Sequence, residues 1–124
     1  MKLYRMNKKI AIKSQGEDLH DLLSRSGVLD GSKQVLCEPG LFAYHMNDGS
    51  VLEIYSPGNV NPDFLFNKGL VVPSFKVEDI RKVVTTLVAG GVAIPDGIME
   101  VSPTYSYCYA QFNSGLVIGF FQEK

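Results

Sequence analysis

One acidic side chain stands in the middle of an otherwise apolar stretch, Val51–Tyr55 (VLEIY). A carboxylate among apolar groups is costly unless it accepts hydrogen bonds or carries a proton. Glu53 is therefore a candidate to bind a polar group of a ligand, or to act as a base with a raised pKa. The alternative is a structural pair between Glu53 and a tyrosine on the neighbouring strand, Tyr44.

Two histidines and two cysteines are further side chains that could bind a metal. His20 is expected on the solvated flank of a helix. His45 is expected on the helix side of a sheet, partly buried with its polar atoms satisfied. Cys37 and Cys108 form no CxxC pair, and the sequence favours two free, mostly buried thiols over a disulfide. The four side chains give no metal-binding spacing.

Three tyrosines alternate along a later segment, at Tyr105, Tyr107 and Tyr109. Residues two apart on a strand share one face, so the three rings form a stripe. We place this stripe on the side opposite Ala110. Such a stripe is more typical of packing or of a dimer surface than of a substrate pocket, although the second use stays open.

Length and charge narrow the possible functions. A chain of 124 residues fits one compact domain with a real core. The net charge of -1 lacks the basic footprint of a nucleic-acid-binding protein. No stretch approaches the roughly 20 apolar residues of a membrane span, and the basic N-terminal cluster lacks the apolar run of a signal peptide. We therefore expect a cytoplasmic protein without nucleic-acid or membrane partners.

The chain contains the same hairpin twice, over residues 42–55 and 108–121. Each copy places an Asn-x-Gly turn between two apolar or aromatic runs. Asp48-Gly49 and Ser114-Gly115 are pairs that supply the positive φ values of a two-residue hairpin turn. The repeat predicts a duplicated folding unit.

A strand and a helix are predicted before each hairpin. The strands cover residues 9–14 and 71–77; the first helix starts near residues 16–19 and ends near Gly27. The second helix ends at Gly90-Gly91, and its apolar residues recur at helical spacing. These residues are Ile80, Val83, Val84, Leu87 and Val88. Further strands are predicted near residues 34–37 and 98–101.

These elements predict an α+β fold in which two βαβββ modules pair into one curved, cup-shaped mixed sheet, with the helices on the outer face. Residues 1–57 form module one and residues 69–124 form module two, joined by a turn-rich linker at 58–68. One such module cannot cover both faces of its own sheet. Residues 1–124 are therefore predicted to form a single domain.

The assumed turns assign side chains to the two faces of the sheet. A corner at Asp48-Gly49 puts Tyr44 opposite Glu53, with Phe42 and Tyr55 on the same concave face. Ala43, His45, Leu52 and Ile54 then face the helices. The same register in the second hairpin pairs Ala110 with Gly119, where a mid-strand glycine indicates close approach by another group. It also places Phe112 and Phe121 in the cup.

This arrangement resembles the vicinal oxygen chelate superfamily, which includes glyoxalase I, fosfomycin and bleomycin resistance proteins, and extradiol dioxygenases. The resemblance covers nearly the whole chain. It rests on the duplication, on Val51–Tyr55 and on residues 87–92 (LVAGGV).

The resemblance implies a divalent metal in the cup, bound by His or Gln on the first strand and Glu on the last strand of each module. Glu53 matches the last-strand Glu of module one. The other three positions fall on Gly119, on Val72 and near Lys8, Lys9 or Ile10, none of which can bind a cation. We therefore predict no metal and no other cofactor, with Glu53 the one ligand if a metal is present.

Three hypotheses about function follow. The first is a metal-free binding protein for a small, partly apolar molecule. Its predicted pocket is Phe42, Tyr44, Glu53, Tyr55, Phe112 and Phe121, with Glu53 the catalytic candidate if any activity remains. The second is a divalent-metal-dependent lyase, isomerase or dioxygenase of the same superfamily. The third is a structural or regulatory homodimer that uses the tyrosine stripe as its interface, and a homodimer is expected in any case.

Overall fold

A computed structural model of the chain describes residues 5–15, 19–57 and 64–124. It contains eight strands and two helices in these described parts. In chain order they are β1 (Lys8–Lys13), α1 (Leu19–Ser26), β2 (Lys33–Glu38), β3 (Leu41–His45), β4 (Val51–Tyr55), β5 (Val71–Lys76), α2 (Ile80–Ala89), β6 (Met99–Ser102), β7 (Tyr105–Gln111) and β8 (Val117–Glu123).

All eight strands form one mixed sheet in the order β2-β3-β4-β1-β5-β8-β7-β6. Strands β1 and β5 pair antiparallel at the centre, and each pairs in parallel with the last strand of its own βαβββ unit, β4 and β8. The sheet curls into a half-barrel. The predicted α+β fold of two βαβββ modules with helices on the outer face is confirmed.

The second helix has the boundaries that the sequence predicts. The side chain of Asp79 caps its first turn by accepting a hydrogen bond from the backbone N–H of Lys82 at 3.2 Å, and the helix ends at Gly90. Helix α1 is shorter, and its predicted start at residues 16–18 lies outside the described residues. Within the described ranges, no helix has the length and apolar character needed to cross a membrane.

Both hairpins have a different turn from the one the sequence predicts. In the first, Met46 N–H bonds to the Ser50 carbonyl at 2.8 Å, and Gly49 N–H bonds to the Met46 carbonyl at 3.1 Å. These bonds enclose a three-residue loop, Asn47-Asp48-Gly49, with Gly49 at φ 87°, the usual type I turn followed by a left-handed residue. The second hairpin repeats the geometry, with Gly115 at φ 92°.

The longer loop shifts the register by one residue, and a shift of one residue exchanges the two faces of a strand. Ala43, not Tyr44, lies opposite Glu53. Tyr109, not Ala110, lies opposite Gly119. The predicted face assignment of β3 and β7 is therefore wrong.

We call the side of the sheet that carries Ala11, Glu53, Tyr109 and Gly119 the concave face, because these residues are neighbours in the strand register. The opposite, convex face carries both helices. On that side the ring of His20 from α1 stacks on Phe42, and the backbone N–H of Ile80 from α2 donates to Gln122. Phe42 and Tyr44 belong to the convex face.

An apolar cluster fills one part of the concave face. Its buried members are Ala11, Leu65, Val72 and Val117. Around them pack Tyr55, Phe64, Phe66 and Tyr109. Residues 64–66 come from the region predicted as a linker, and Leu65 is only 2% exposed. The linker thus contributes core residues to the cup, while its residues 58–63 lie outside the described part of the chain.

Candidate functional site

The central feature of the concave face is an ion pair between Lys9 and Glu53. Ala11 lies beside Glu53 in the register of β1 and β4, and Lys9 precedes Ala11 by two positions, so both side chains point to the same face. Lys9 Nζ lies 3.6 Å from Glu53 Oε1. The two side chains are 12% and 16% exposed, so most of both charged groups is removed from water.

Tyrosine rings flank the ammonium group. Lys9 Nζ lies 5.7 Å from the centre of the Tyr107 ring and 5.8 Å from that of Tyr109. These distances are within the range of cation–π attraction. The rings of Tyr105 and Tyr107 are 6.2 Å apart, and those of Tyr107 and Tyr109 are 5.9 Å apart. The stripe of three tyrosines therefore lines the cup.

Burial and charge together set the protonation states. Burial lowers the pKa of Lys9, but the Glu53 carboxylate and the surrounding tyrosines raise it by more, so the ammonium stays charged. Burial raises the pKa of Tyr55, and the Glu53 carboxylate raises it further. Burial also raises the pKa values of Tyr105 and Tyr109. At neutral pH these hydroxyls therefore keep their protons and can donate hydrogen bonds.

One carboxylate oxygen of the ion pair lacks a hydrogen-bond donor. Glu53 Oε1 is buried and accepts no hydrogen bond from the described residues. A distance of 3.6 Å to the ammonium exceeds the 2.7–2.9 Å typical of a charge-assisted hydrogen bond. Buried polar atoms without a partner are rare, and such an atom calls for an explanation. Because this oxygen is closed to solvent, the Lys9 ammonium is the charge that compensates it.

Gly119 lies at the position where the resemblance implies a second carboxylate. A Cβ atom at this position would overlap Ser74 Oγ and would lie 3.1 Å from Tyr109 Cε1. The mid-strand glycine thus accommodates a close approach, as the sequence predicts, and the approaching groups are Ser74 and Tyr109. A longer side chain at 119 would need the same space.

These residues do not fit a divalent metal. Within the parts of the chain that the structure describes, no three His, Cys, Asp or Glu side chains come together as a metal-binding group. Lys9 places a positive charge beside Glu53, where a second cation would be repelled. The space at Gly119 is occupied by the neighbours just described.

A cavity of about 200 Å³ lies against the tyrosine stripe. Its lining is largely apolar or aromatic, with one carboxylate. The residues are Phe64, Pro95, Asp96, Gly97, Met99, Tyr107, Cys108 and Tyr109. Tyr107 and Tyr109 belong both to this lining and to the surroundings of Lys9, so the cavity and the ion pair adjoin each other.

The structure brings together three of the six predicted pocket residues on one face. Glu53 and Tyr55 share the concave face of β4, and Phe121 lies on the same face of β8. Phe121 is 1% exposed and packs at 6.2 Å from Tyr105. Phe112 lies at the start of the second hairpin loop, where its N–H bonds to the Leu116 carbonyl.

Phe42 and Tyr44 form a separate cluster with His20 on the convex face. The ring of His20 stacks on Phe42 at 3.9 Å with planes 3° apart, and its Nε2 lies 2.6 Å from the Tyr44 hydroxyl. Tyr44 therefore does not serve Glu53. His20 is also not the solvated side chain that the sequence predicts, because the stacking and the hydrogen bond hold it against the sheet.

Two further predictions about reactive side chains need correction. His45 lies on the concave side, opposite Val51, and its Nε2 forms a 2.9 Å hydrogen bond with the Arg5 carbonyl. Cys37 and Cys108 are both free thiols, but only Cys108 is buried. Cys37 is exposed because it lies on β2, a strand at the edge of the sheet.

Sequence reasoning missed the residues that complete the site. The resemblance gives Lys9 no role beyond a position that cannot bind a metal, although its alternation with Ala11 places it on the inward face of β1. A two-residue turn places the tyrosine stripe outside the cup, whereas the observed three-residue loop places it inside. Phe64 and Phe66 also pack in the cup. The sequence signal for them is the presence of two aromatic residues in a segment otherwise rich in turn-forming residues.

Comparisons with known proteins agree on the fold. No protein-family model matches the sequence, and no curated protein matches it. Among solved structures, a glyoxalase/bleomycin resistance protein/dioxygenase superfamily member from Vibrio splendidus 12B01 superposes with a TM-score of 0.58 at 14% identity, covering 94% of this chain and 97% of that chain.

Two other solved structures are similar over comparable lengths. Methylmalonyl-CoA epimerase from Mycobacterium tuberculosis has a TM-score of 0.60 at 14% identity and covers 96% of this chain and 87% of that chain. A hypothetical protein from Bacillus halodurans C-125 has a TM-score of 0.61 at 15% identity, covering 94% and 92%. The chain therefore has the vicinal oxygen chelate fold that its sequence predicts.

Proposed function

We propose that the protein binds a small, partly apolar molecule on the concave face of its sheet, without a divalent metal. The observation that carries this proposal is the cavity of about 200 Å³ against Tyr107 and Tyr109, whose lining is largely apolar or aromatic. The aromatic surroundings would bury the apolar part of the ligand.

The size of the cavity limits the ligand. A cavity of about 150 Å³ lined by apolar side chains can hold a benzene ring. The cavity beside Tyr107 and Tyr109 measures about 200 Å³, which suits one substituted ring or an aliphatic molecule of similar volume. A nucleotide or another large cofactor would not fit without rearrangement. The ligand class is therefore a compact molecule.

The metal-dependent alternative has less support. Lewis-acid chemistry in such a cup requires about three protein ligands around the ion. The concave face offers Glu53, and that carboxylate is already paired with Lys9. The superfamily enzymes named above share the fold, and their reactions are not carried over to this chain.

The proposal can be tested with a library of single-ring compounds and ligand-observed NMR on the full chain. We expect several compounds to bind the wild type and to bind Tyr107→Ala at least about fivefold more weakly, because one aromatic wall of the cavity is lost. Phe75→Ala is the matched control, since this aromatic side chain is 47% exposed and does not line the cavity. The same compounds should bind the control variant and the wild type with equal affinity.

Metal analysis of protein purified without a chelator completes the test. We expect no stoichiometric divalent ion. A bound Ni, Zn, Mn or Fe at one per chain would contradict the metal-free site, and a library without any binder would contradict the binding function itself.

The expected homodimer stays a prediction. The tyrosine stripe, which is the interface of that hypothesis, lines the cup beside Lys9. Light scattering at high protein concentration measures the assembly state directly.

A further inference from the structure

The cavity of about 200 Å³ against the tyrosine stripe combines aromatic rings with one carboxylate. The side chains of Phe64, Tyr107 and Tyr109 are partly buried, whereas Asp96 is exposed. Within the described parts of the chain, the carboxylate of Asp96 receives no hydrogen bond and forms no ion pair. The lining therefore has an aromatic inner part and an uncompensated negative charge on its solvent side.

The backbone at Asp96 gives a second reason to examine this side chain. The N–H of Gly97 donates to the Ile94 carbonyl at 3.0 Å, which closes a four-residue turn. Pro95 is the second residue of that turn, and Asp96, at φ 63°, is the third. A positive φ at the third residue favours glycine or asparagine. Asp96 is the one non-glycine residue with a positive φ in the ranges that the structure describes, and such an exception indicates a use for the side chain.

We propose that the cavity selects a small organic cation, with its ammonium group beside Asp96 and its apolar body against the aromatic rings. This inference rests on the proposed binding function and names the charge of its ligand. Asp96 supplies the opposite charge, and the faces of aromatic rings also attract cations. Because Asp96 is exposed, the ammonium group stays partly in water and its desolvation costs little.

The nearby ammonium group of Lys9 does not decide the charge of the ligand. Lys9 is not part of the cavity lining, and the Glu53 carboxylate at 3.6 Å compensates its charge. Asp96 is the charged side chain that a ligand in the cavity would meet. An anionic ligand would meet a like charge there, and an uncharged ligand would leave the carboxylate unpaired.

Three probes of nearly equal size test the inference on the full chain at pH 7: benzylamine, benzyl alcohol and benzoate. Benzylamine is a cation at this pH, benzyl alcohol is uncharged and benzoate is an anion. Chemical-shift titrations of isotope-labelled protein give the dissociation constants. We expect benzylamine to bind at least about fivefold more tightly than benzyl alcohol, because it adds a charge attraction to the same ring contacts. Benzoate should bind most weakly.

Two variants assign the preference to Asp96. Asp96→Asn removes the charge and suits the turn, since asparagine also populates positive φ, and Asp96→Gly suits the turn as well. In both, benzylamine and benzyl alcohol should bind within about twofold of each other. Glu38→Gln is the matched control, because it removes an exposed carboxylate from β2, at the opposite edge of the sheet from β6. The cation preference should survive in this control.

The outcomes separate the inference from the function beneath it. Equal binding of benzylamine and benzyl alcohol to the wild type, or tighter binding of benzoate, would overturn the cation class while leaving a binding cavity in place. A cation preference that persists in both Asp96 variants would contradict the role of this carboxylate. Failure of all three probes, in a protein that binds other single-ring compounds, would overturn the inference alone. Failure of the whole library would overturn the proposed function as well.

Discussion

The two βαβββ modules share their turns and strand registers but distribute side-chain volume in opposite ways. In module one, the third strand presents the small Ala43 directly opposite the carboxylate of Glu53 on the fourth strand. In module two, the third strand presents the large Tyr109 directly opposite Gly119. The larger side chain of each pair therefore lies on the fourth strand in module one and on the third strand in module two.

This exchange explains how a duplicated fold can hold a single polar centre. The module with the carboxylate supplies the charge, and the module with the tyrosines supplies the walls around it. Lys9, at the middle of the sheet, contacts both: Glu53 at 3.6 Å and the two rings at 5.7 and 5.8 Å. The internal repeat therefore produces one asymmetric site rather than two equivalent ones.

The largest test of this comparison removes the charge that joins the modules. Lys9→Met should lower the free energy of unfolding by about 3–5 kcal/mol, because it leaves a buried carboxylate without its counter-charge. Urea denaturation followed by circular dichroism measures the change. Adding Glu53→Gln should recover a substantial part of the loss. A loss below 1 kcal/mol for Lys9→Met, similar to that of the exposed Arg81→Met control, would show that the pair carries no special weight.

A second variant tests the filling of space in module two. Gly119→Ala should cost about 1–3 kcal/mol, since the new methyl group would overlap Ser74 Oγ and press on Tyr109. Gly69→Ala is the control, because no heavy atom lies within 4 Å of its added Cβ. That control should leave stability unchanged or raise it by up to about 1 kcal/mol. Equal effects in the two variants would contradict the close packing at Gly119.

The turn geometry common to both modules can be tested at Gly49. Gly49→Ala should cost about 1–2 kcal/mol, because the residue has φ 87° and a left-handed conformation disfavours a Cβ. Gly49→Asn should cost less, since asparagine populates this region more readily. Thermal unfolding of the three proteins gives the order, and an alanine variant more stable than the asparagine variant would argue against the three-residue loop.

The two thiols differ between the modules and give the smallest perturbation. Burial raises the pKa of Cys108 to about 11, so at pH 8 it is protonated and shielded. Cys37 is exposed on the edge strand. Titration with a disulfide reagent at pH 8 should therefore modify one thiol in the folded protein and two in urea, and Cys37→Ser should abolish the native reaction. Rapid modification of Cys108 in the native state would contradict its burial.

Much of the fold could be predicted from the sequence because the residues that start and end its helices and turns are close together in the chain. The helix stripe ending at Gly90-Gly91 and the glycines at 49 and 115 each identify an element by short-range chemistry. Even the two short strands near residues 34–37 and 98–101 are present as β2 and β6.

The site was harder to predict because it depends on one residue of loop length. Asn47-Asp48-Gly49 can form either a two-residue corner at Asp-Gly or a three-residue loop that ends in a left-handed glycine. The same sequence pattern predicts a hairpin with either turn. The choice decides which of Ala43 and Tyr44 faces Glu53, and a local pattern does not contain that information.

The Lys9 and Glu53 pair shows a different limit. A lysine next to a predicted cation site counts as a defect in the family pattern, yet in three dimensions it neutralises the same carboxylate. Its role follows from the parallel pairing of β1 with β4, which brings residues over 40 positions apart side by side. A nearby pair in the fold can be remote in the chain.

The packing of residues 64–66 constrains how this architecture can be taken apart. Leu65 is wedged among Ala11 of the first half and Val72 and Val117 of the second, with aromatic neighbours on both sides. The segment between the two modules is therefore part of the hydrophobic core and not only a connection. If the chain is split for fragment complementation, the break must lie outside residues 64–66. Replacing these residues with a flexible Gly/Ser linker would remove core contacts that both halves of the chain share.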